Sequence, residues 1–272
     1  MNIKEFVQNA LAEDVGRGDL FETTIEPSSY AANVIAKEDG VFAGEVYARE
    51  LLSLFELRYE FFAHDGEQIK KGDKIVYIEG KNTDILKLER TLLNMLQHAS
   101  GIATNAAFYA AIAAKHGVML LDTRKTRPHL RVFEKHAVRA GGAQNHRLGL
   151  DDALMIKDTH RKAIKDMEAY IKNARKNIPF TAKIEIECES LVEVEEAIRL
   201  GADIIMCDNM SPSDVAKAVA LKNKQNARIL IECSGNIDKS NFEEYAKSGA
   251  DAISIGAIIH KAVWLDFSMK GI

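Results

Sequence analysis

Gly201-Ala-Asp-Ile-Ile-Met206 and Gly249-Ala-Asp-Ala-Ile-Ser254 are two copies of one short pattern, and this pattern decides the predicted fold. In each copy an amphipathic helical segment ends at the glycine, and an apolar run typical of a strand follows. Glycine is common directly after a helix because it adopts left-handed backbone conformations at little cost. Repeated helix–glycine–strand units favour a closed α/β barrel over an open sheet.

The same alternation of short apolar runs and amphipathic helices extends in both directions, beginning at about residue 103. Strands that alternate with helices predict parallel pairing through right-handed crossovers. Six strands are predicted, whereas a full barrel usually has eight, so we expect a smaller or incomplete barrel. The predicted strands are Val118–Leu121, Leu154–Ile156, Ile184–Ile186, Ile204–Met206, Ile229–Ile231 and Ala252–Ile255. The predicted helices are Thr104–Lys115, His160–Lys176, Leu191–Leu200, Ser213–Leu221 and Asn241–Lys247.

The first hundred residues have a different pattern, which predicts an α+β module. Alternating runs indicate short strands, and turn residues such as Asp65-Gly66 and Lys71-Gly72-Asp73 separate them. Apolar residues at helical spacing indicate three helices. The predicted strands are Asn33–Lys37, Tyr59–Phe62 and Lys74–Ile78, and the predicted helices are Met1–Gly16, Gly44–Leu57 and Leu86–Ser100.

Composition excludes several classes of protein. The chain has 272 residues, of which 47% are hydrophobic and 28% charged, so it is neither a disordered nor a collagen-like sequence. Its net charge of −4 argues against general nucleic-acid binding. The longest apolar run, Ala106 to Ala114, is too short for a membrane span, and the charged N-terminus contains no signal region. Three cysteines without a C-x-x-C pair predict a soluble protein of a reducing compartment, in which they are small buried packing residues.

Polar residues or glycine follow each of the six predicted barrel strands. In α/β barrels the active site lies at the carboxyl ends of the strands, so these residues predict a single site. Between Arg124 and Arg147 seven Lys or Arg residues accompany one acid, a local charge of +6 that suits a polyanionic small molecule. Arg131, Lys135 and Arg139 have the alternative interpretation of a solvated basic helix face.

Two acids, Glu187 and Asp208, end neighbouring predicted strands. Such carboxylates suit Mg²⁺, or they accept hydrogen bonds from sugar hydroxyls, and the sequence does not separate these roles. Glu185 has an alternative role as the partner of a barrel lysine. Small residues after the last two strands, Ser234-Gly235-Asn236 and Ser254–Ala257, allow backbone N–H groups to approach a phosphate.

Several motifs resemble those of the quinolinate phosphoribosyltransferases, also called carboxylating nicotinate-nucleotide pyrophosphorylases. The similarity covers almost the whole chain in order. It is most specific in Asp122-Thr-Arg-Lys-Thr-Arg-Pro-His-Leu-Arg131 and in Gly141-Gly-Ala-Gln-Asn-His-Arg-Leu-Gly-Leu150. Further matching stretches are Glu13–Leu20, Glu89–Asn94, Ile156–Asp158, Ile186–Cys188, Met206–Asn209, Glu232–Gly235 and Ser254–Ala257.

The resemblance implies an α/β fold with an N-terminal α/β sandwich domain, residues 1–102, and an incomplete six- to seven-stranded α/β barrel, residues 103–262. The tail, residues 263–272, is expected to pack back on the first domain. The implied reaction converts quinolinate and phosphoribosyl pyrophosphate (PRPP) into nicotinate mononucleotide, pyrophosphate and CO₂ in NAD biosynthesis, with Mg²⁺ as cofactor. A cytoplasmic homodimer with a shared active site, or a hexamer, is expected, without nucleic-acid or membrane partners.

The resemblance also implies roles for individual residues. Lys125, Lys157, Glu187 and Asp208 are the expected catalytic residues, and Glu187 and Asp208 are expected to hold Mg²⁺ directly or through substrate and water. Quinolinate is expected to contact Arg90 of the partner subunit, together with Thr123, Arg124, Lys125, His146, Arg147 and Lys157. The 5′-phosphate is expected to contact Ser234, Gly235, Asn236, Gly256, Ala257 and His260.

Three alternatives stay open. A related branch associated with molybdenum transport shares the fold but has an unclear substrate. Nicotinate phosphoribosyltransferases bind a monocarboxylate, which the dense cation cluster disfavours. The segment Gly66–Ile78 resembles half of a biotinyl or lipoyl carrier domain, in which Lys81 would be modified. The residues around Lys81 lack the flanking pattern of such a lysine, so we expect no modification. Asn236 replaces a glycine usual in the family's phosphate turn and is expected to preserve it, and Arg127 and His129 are expected to face solvent.

Overall fold

The computed structural model describes residues 2–225 and 228–272 and divides them into two compact units. The first unit contains the described residues up to Ala107, together with Arg127–Gly142 and Ile258–Ile272. The second contains Phe108–Thr126 and the described residues of Ala143–Ala257. Met1, where the first predicted helix and domain begin, lies outside the described residues. In the described chain no helix is both long and apolar enough to cross a lipid bilayer.

The first unit is built on an antiparallel sheet of four strands, in the order β12 (Phe267–Gly271), β1 (Ser29–Ala36), β5 (Lys74–Lys81) and β3 (Arg58–Phe61). The last strand of the chain pairs with β1, with Phe267 opposite Ala36, so the C-terminal segment completes this sheet. A separate pair, β2 (Gly40–Val41) and β4 (Gln68–Ile69), is also antiparallel.

The helices of the first unit include one that was predicted as two. They are α1 (Ile3–Val15), α2 (Glu45–Leu52), α4 (Arg131–Ala140) and most of α3 (Asn82–His116). The sequence predicted one helix ending at Ser100 and a second beginning at Thr104. The helix instead continues through Gly101. A Cβ at Gly101 would overlap the carbonyl oxygen of Val263, so this glycine permits close backbone contact and does not end a helix.

The hairpin proposed to carry a modified lysine is absent. Lys81 is the last residue of β5, where it pairs with Ser29, and α3 begins at the next residue. A carrier lysine must lie in an exposed turn between strands, so this interpretation is wrong.

The second unit confirms the α/β barrel prediction in its incomplete form. All six predicted strands are present and form a parallel sheet with the order β6-β11-β10-β9-β8-β7. Gln144 forms one isolated parallel bridge with Leu121 of β6. This bridge lies at the edge of the sheet, outside the named strands. The strands are β6 (Met119–Leu121), β7 (Leu154–Ile156), β8 (Ile184–Cys188), β9 (Ile204–Asp208), β10 (Leu230–Ser234) and β11 (Ala252–Ser254).

Helices connect these strands, and one predicted helix is divided. The connecting helices are α5 (Asp158–Ala163), α6 (Met167–Asn177), α7 (Leu191–Arg199), α8 (Pro212–Lys224) and α9 (Phe242–Ala246). Helix α10 (Ala257–His260) follows β11 and belongs mostly to the first unit. The single helix predicted over His160–Lys176 is wrong because Ile164 is extended. Asp166 then starts a new helix by accepting a hydrogen bond from the Ala169 N–H, a role that competes with continuing the first helix.

Strand β8 shows how this fold positions polar side chains. All five of its residues are buried, as expected for a barrel strand that is covered on both faces. Side chains alternate along a strand, so Glu185 and Glu187 share one face, while Ile184, Ile186 and Cys188 occupy the other. The two glutamates face the interior, where the site lies.

Candidate active site

A cavity of about 580 Å³ lies at the carboxyl ends of the strands in the second unit. Eleven of the predicted site residues line it: Thr123, Arg124, Lys125, His146, Arg147, Lys157, Glu187, Asp208, Ser234, Gly235 and Asn236. Met155, Met206, Asn209 and Ser254 complete the lining. This position is where α/β barrels carry their active sites, because the loops after parallel strands meet there.

One part of the lining is cationic. Thr123 Oγ1 accepts a hydrogen bond from the Lys125 N–H, which fixes the turn after β6 (3.0 Å). The Arg147 guanidinium donates to the Ala153 carbonyl and to the Met155 sulfur, both at 3.2 Å. Burial and the nearby Arg124 cation lower the pKa of Arg147, although a guanidinium stays charged. Crowded cations of this kind are stabilised by a bound anion.

The acidic part of the lining contains Glu187 and Asp208. Glu187 Oε2 accepts a hydrogen bond from Lys157 Nζ (2.7 Å), and Asp208 Oδ2 accepts one from Asn209 Nδ2 (2.7 Å). Burial and the Glu187 carboxylate raise the pKa of Asp208. Two hard oxygen donors facing one space fit a Mg²⁺ ion, which usually takes one or two carboxylates together with substrate oxygens and water.

His146 lies between the cavity and two buried glutamates. Its Nε2 is 3.4 Å from Glu185 Oε2 and 3.3 Å from Glu232 Oε2. Its Nδ1 accepts the N–H of Arg147 (2.8 Å), so the tautomer that fits this geometry carries its proton on Nε2. Burial alone would lower the pKa of His146, but the two carboxylates raise it to about 10. At neutral pH such a pKa would place a second proton on Nδ1. That proton would displace the Arg147 N–H, so the Nε2–H form is the one that fits the hydrogen bond of this conformation.

This arrangement corrects one detail of the sequence interpretation. Glu185 was considered as the ion-pair partner of a barrel lysine. Its carboxylate instead lies near His146, and the lysine, Lys157, is paired with Glu187. Burial raises the pKa of Glu185. Both ring nitrogens of His146 are directed to protein groups in this conformation, so the ring forms part of the cavity wall.

The turn after β10 has a left-handed backbone at two successive residues. Gly235 and Asn236 have φ values of 88° and 50°, and Asn236 thus preserves the left-handed turn as predicted. A Cβ on Gly235 would overlap the side chain and backbone nitrogen of Asn209. Asn236 Nδ2 donates to Asn209 Oδ1 (2.9 Å), which ties the turn to the end of β9.

Four predicted site residues lie outside the cavity lining. Gly256 and Ala257 follow β11 but are not among the residues that line the cavity. Arg90 and His260 belong to the first unit, Arg90 exposed on α3 and His260 exposed at the end of α10. The roles that the resemblance gives these four residues stay predictions.

The cation cluster is divided by the fold. Arg124, Lys125 and Arg147 line the cavity, whereas the four cations between them in sequence belong to the first unit. Lys135 is only 1% exposed, so the solvated-face interpretation is wrong for this residue. Arg127 is exposed, as expected, and its guanidinium also lies 2.7 Å from the buried Glu134 carboxylate. His129 is exposed, as expected, with a left-handed φ of 64°.

Met155 and Met206 were missed as lining residues, although the sequence contained a signal for them. Each lies two residues before a predicted site residue, Lys157 or Asp208, and therefore on the same face of its strand. The three cysteines are buried and free, and burial raises the pKa of each thiol, so they fit the predicted packing role.

The chain is similar to known proteins over nearly its whole length. Residues 19–100 match the N-terminal domain and residues 102–270 the C-terminal domain of the quinolinate phosphoribosyl transferase family. A Synechocystis protein named probable nicotinate-nucleotide pyrophosphorylase (carboxylating) is 40% identical over 98% of this chain and 92% of its own length. A Bacillus subtilis protein of the same name is 37% identical, with 99% and 93% covered.

Solved structures show the same similarity. NadC from Streptococcus pyogenes is 40% identical, with a TM-score of 0.92 over 99% of this chain and 95% of that chain. The nicotinate-nucleotide pyrophosphorylase of Francisella tularensis is 33% identical, with a TM-score of 0.92 over 99% and 96%. With both family domains matched and relatives similar over nearly their full length, the chain belongs to the quinolinate phosphoribosyltransferase family.

Proposed function

We propose that the protein transfers the phosphoribosyl group of PRPP to quinolinate, with decarboxylation, in NAD biosynthesis. The products are nicotinate mononucleotide, pyrophosphate and CO₂. The observation that carries the proposal is one cavity that combines three unlike groups: a cationic wall, a carboxylate pair and a phosphate-type turn. A dicarboxylate, a ribose and a phosphate need these three environments side by side.

Quinolinate is a dianion and is assigned to the cationic wall. Arg124 and Arg147 match carboxylates in a bidentate manner, while Lys125 and Lys157 act as point charges. Thr123 offers a hydroxyl beside them. His146 supports Arg147 through its backbone hydrogen bond and closes this side of the cavity.

The ribose and the phosphates of PRPP are assigned to the opposite side. Glu187 and Asp208 accept hydrogen bonds from ribose hydroxyls and hold Mg²⁺, directly or through water and substrate oxygens. When bound, the ion neutralises the charge of the departing pyrophosphate. The turn at Ser234–Asn236 receives the 5′-phosphate, because it lines the cavity and its small Ser and Gly residues let a phosphate approach the backbone. Gly256, Ala257 and His260 are proposed to complete this phosphate site.

Catalysis in this cavity is positioning and electrostatic stabilisation. The pyridine nitrogen attacks the anomeric carbon as pyrophosphate leaves, and positive charge develops on the ribose near Glu187 and Asp208. The N-ribosylated ring is cationic, so it accepts the electron pair released when the 2-carboxylate departs as CO₂. A proton then replaces the carboxylate at that carbon. This sequence requires no covalent enzyme intermediate.

We propose further that the protein works in the cytoplasm as a homodimer or larger assembly. Arg90 of the partner subunit would then add a cation to the quinolinate site. Exposure of Arg90 on α3 is compatible with this role.

The test is an assay of the purified protein with PRPP, Mg²⁺ and either quinolinate or nicotinate, repeated with a chelator. We expect nicotinate mononucleotide to form with quinolinate but not with nicotinate, and we expect the chelator to abolish its formation. Product from nicotinate, or none from either substrate while the protein is folded, would contradict the proposed function.

A further inference from the structure

The two glutamates beneath His146 have no role in the reaction described above. Glu185 is 0% and Glu232 2% exposed, and both side chains project into the barrel interior next to the cavity. Glu185 Oε1, Glu185 Oε2 and Glu232 Oε1 have no hydrogen-bond partner among the residues that the structure describes. Buried carboxylate oxygens without partners are costly, so their presence here requires an explanation.

Both carboxylates approach His146 Nε2, at 3.4 and 3.3 Å. On the other side of the ring, Nδ1 accepts the Arg147 N–H. Below the same loop, Asp122 accepts the His146 N–H (2.8 Å) and the Asn145 side-chain amide (2.7 Å). The loop that carries Arg147 into the cavity is therefore fixed from below through the imidazole and its backbone.

We propose that Glu185 and Glu232 are positioning residues that hold the Nε2–H tautomer of His146 and, through it, fix Arg147 for binding the dicarboxylate substrate. This inference rests on the proposed function. The carboxylates attract the Nε2 proton, Nδ1 is left as an acceptor, and the Arg147 backbone is held by that acceptor. Neither glutamate touches the substrate.

The sign of one kinetic effect separates this role from simple electrostatics. Two carboxylates near a dianion site repel the dianion, so their neutralisation alone should lower the KM for quinolinate. If they act by positioning, the variants Glu185→Gln and Glu232→Gln should each raise the KM for quinolinate about tenfold and leave the KM for PRPP unchanged. Glu189→Gln removes an exposed carboxylate from the end of the same strand and is the matched control, for which no increase is expected.

Thermal stability distinguishes the positioning role from a purely structural role of the two glutamates. Replacing a buried carboxylate by an isosteric amide removes desolvation cost, so we expect the thermal midpoints of the Gln variants to be unchanged or higher. Glu232→Asp retains the carboxylate and should recover part of the lost affinity. A lower midpoint with an unchanged KM would show a structural role and overturn the proposal.

The route through His146 has its own tests. In a His146→Asn background, Glu232→Gln should cause no further change in KM, because the residue through which it acts is gone. Nitrogen-15 NMR of the substrate-free protein should show the Nε2–H tautomer of His146 in the wild type and a loss of that preference in the double Gln variant. The NMR measurement is independent of turnover, so it distinguishes failure of this proposal from failure of the proposed function.

A divalent cation is the competing occupant of this cluster, since its three possible ligand atoms lie within 4.8 Å of one another. Stoichiometric metal in the purified wild type that is lost in Glu185→Gln would overturn the positioning role. Additive effects in the double-mutant cycle, or an unchanged tautomer in the double Gln variant, would also overturn it. Metal-free protein with the tautomer shift and the KM increase is the expected result.

Discussion

Arg124 and Arg147 are the residues on which recognition of the substrate carboxylates depends in this account. They lie on one wall of the cavity, and burial together with Arg124 lowers the pKa of Arg147. Repulsion between two guanidinium groups is tolerated where an anion is later bound. The wall is therefore adapted to a dianion and unfavourable without one.

Arg124→Ala tests this at a single position. We expect the affinity for quinolinate to fall about 100-fold, since a charged bidentate contact is lost, while PRPP binding and the thermal midpoint are retained. Titration calorimetry with each substrate measures both affinities. Arg139→Ala is the matched control, because Arg139 belongs to the same basic stretch but is exposed on α4. Full activity of Arg124→Ala would exclude the assigned role.

Gly235→Ala tests the phosphate turn. The new Cβ would meet Asn209, and alanine is strained at a φ of 88°. We expect the KM for PRPP to rise at least tenfold, with a smaller change for quinolinate. Gly201→Ala, at a φ of 74° with open space around it, is the control for backbone strain alone. Equal kinetic effects in the two variants would contradict the role of the turn.

Most of the individual residues that line the cavity could be predicted, because polar residues directly after strands are visible in the sequence. Lining by Met155 and Met206 followed from strand alternation but was overlooked. The partnership of His146 with Glu185 and Glu232 could not be predicted, since it joins a loop to two strands that are distant in sequence. Only the fold brings these three residues together.

Helix α4 contains an ionic cluster that stabilises the first unit. Glu134 is 0% exposed, and its carboxylate accepts hydrogen bonds from the Arg127 N–H (2.9 Å) and guanidinium (2.7 Å) and lies 2.9 Å from His98 Nε2. Burial alone would raise the pKa of Glu134, but His98 and Arg127 lower it overall. The charged form is therefore the one that the folded protein stabilises.

This cluster predicts a loss of stability in acid. The folded-state pKa of Glu134 is below its ordinary value of 4.5, so its stabilising effect is complete above that value and disappears as the pH falls through the lower, folded-state pKa. Glu134→Gln should cost about 3 kcal/mol at neutral pH and flatten the acid limb of the stability curve. Urea unfolding between pH 7 and pH 3 measures both effects. An unchanged pH profile would show that the cluster contributes little.

Among the elements, strands were easier to predict than helix boundaries. The six barrel strands are apolar runs between polar ends, and this pattern reflects burial directly. The continuity of α3 through Gly101 and the division at Ile164–Asp166 depend on tertiary contact and on capping. Neither of these is visible in helical periodicity.

At the scale of the whole molecule, motifs along nearly the full chain indicated the family before the fold was known. The incomplete barrel was predicted because only six strands were found, and the open strand order confirms it. Residues 127–142 belong to the first unit, although the sequence assigned them to the barrel domain, because α4 packs its Phe133 ring against Phe6 and Tyr47. Such packing cannot be inferred from order along the chain.

The proposed sharing of active sites predicts complementation between inactive variants. Arg90→Ala and Lys157→Ala should each be nearly inactive alone. A hybrid dimer purified through two different tags should recover up to half of the wild-type activity, because one of its two sites has both native residues. Hybrids no more active than either parent would show that Arg90 does not act in a partner's site.

In the proposed reaction, ribosylation of the ring nitrogen drives the loss of the 2-carboxylate in this cavity. This coupling is tested most directly with quinolinate labelled in that carboxylate, by following CO₂ and nicotinate mononucleotide together. We predict one CO₂ for each nicotinate mononucleotide and none when PRPP is omitted. Release of CO₂ without PRPP, or nucleotide formed without CO₂, would contradict the account.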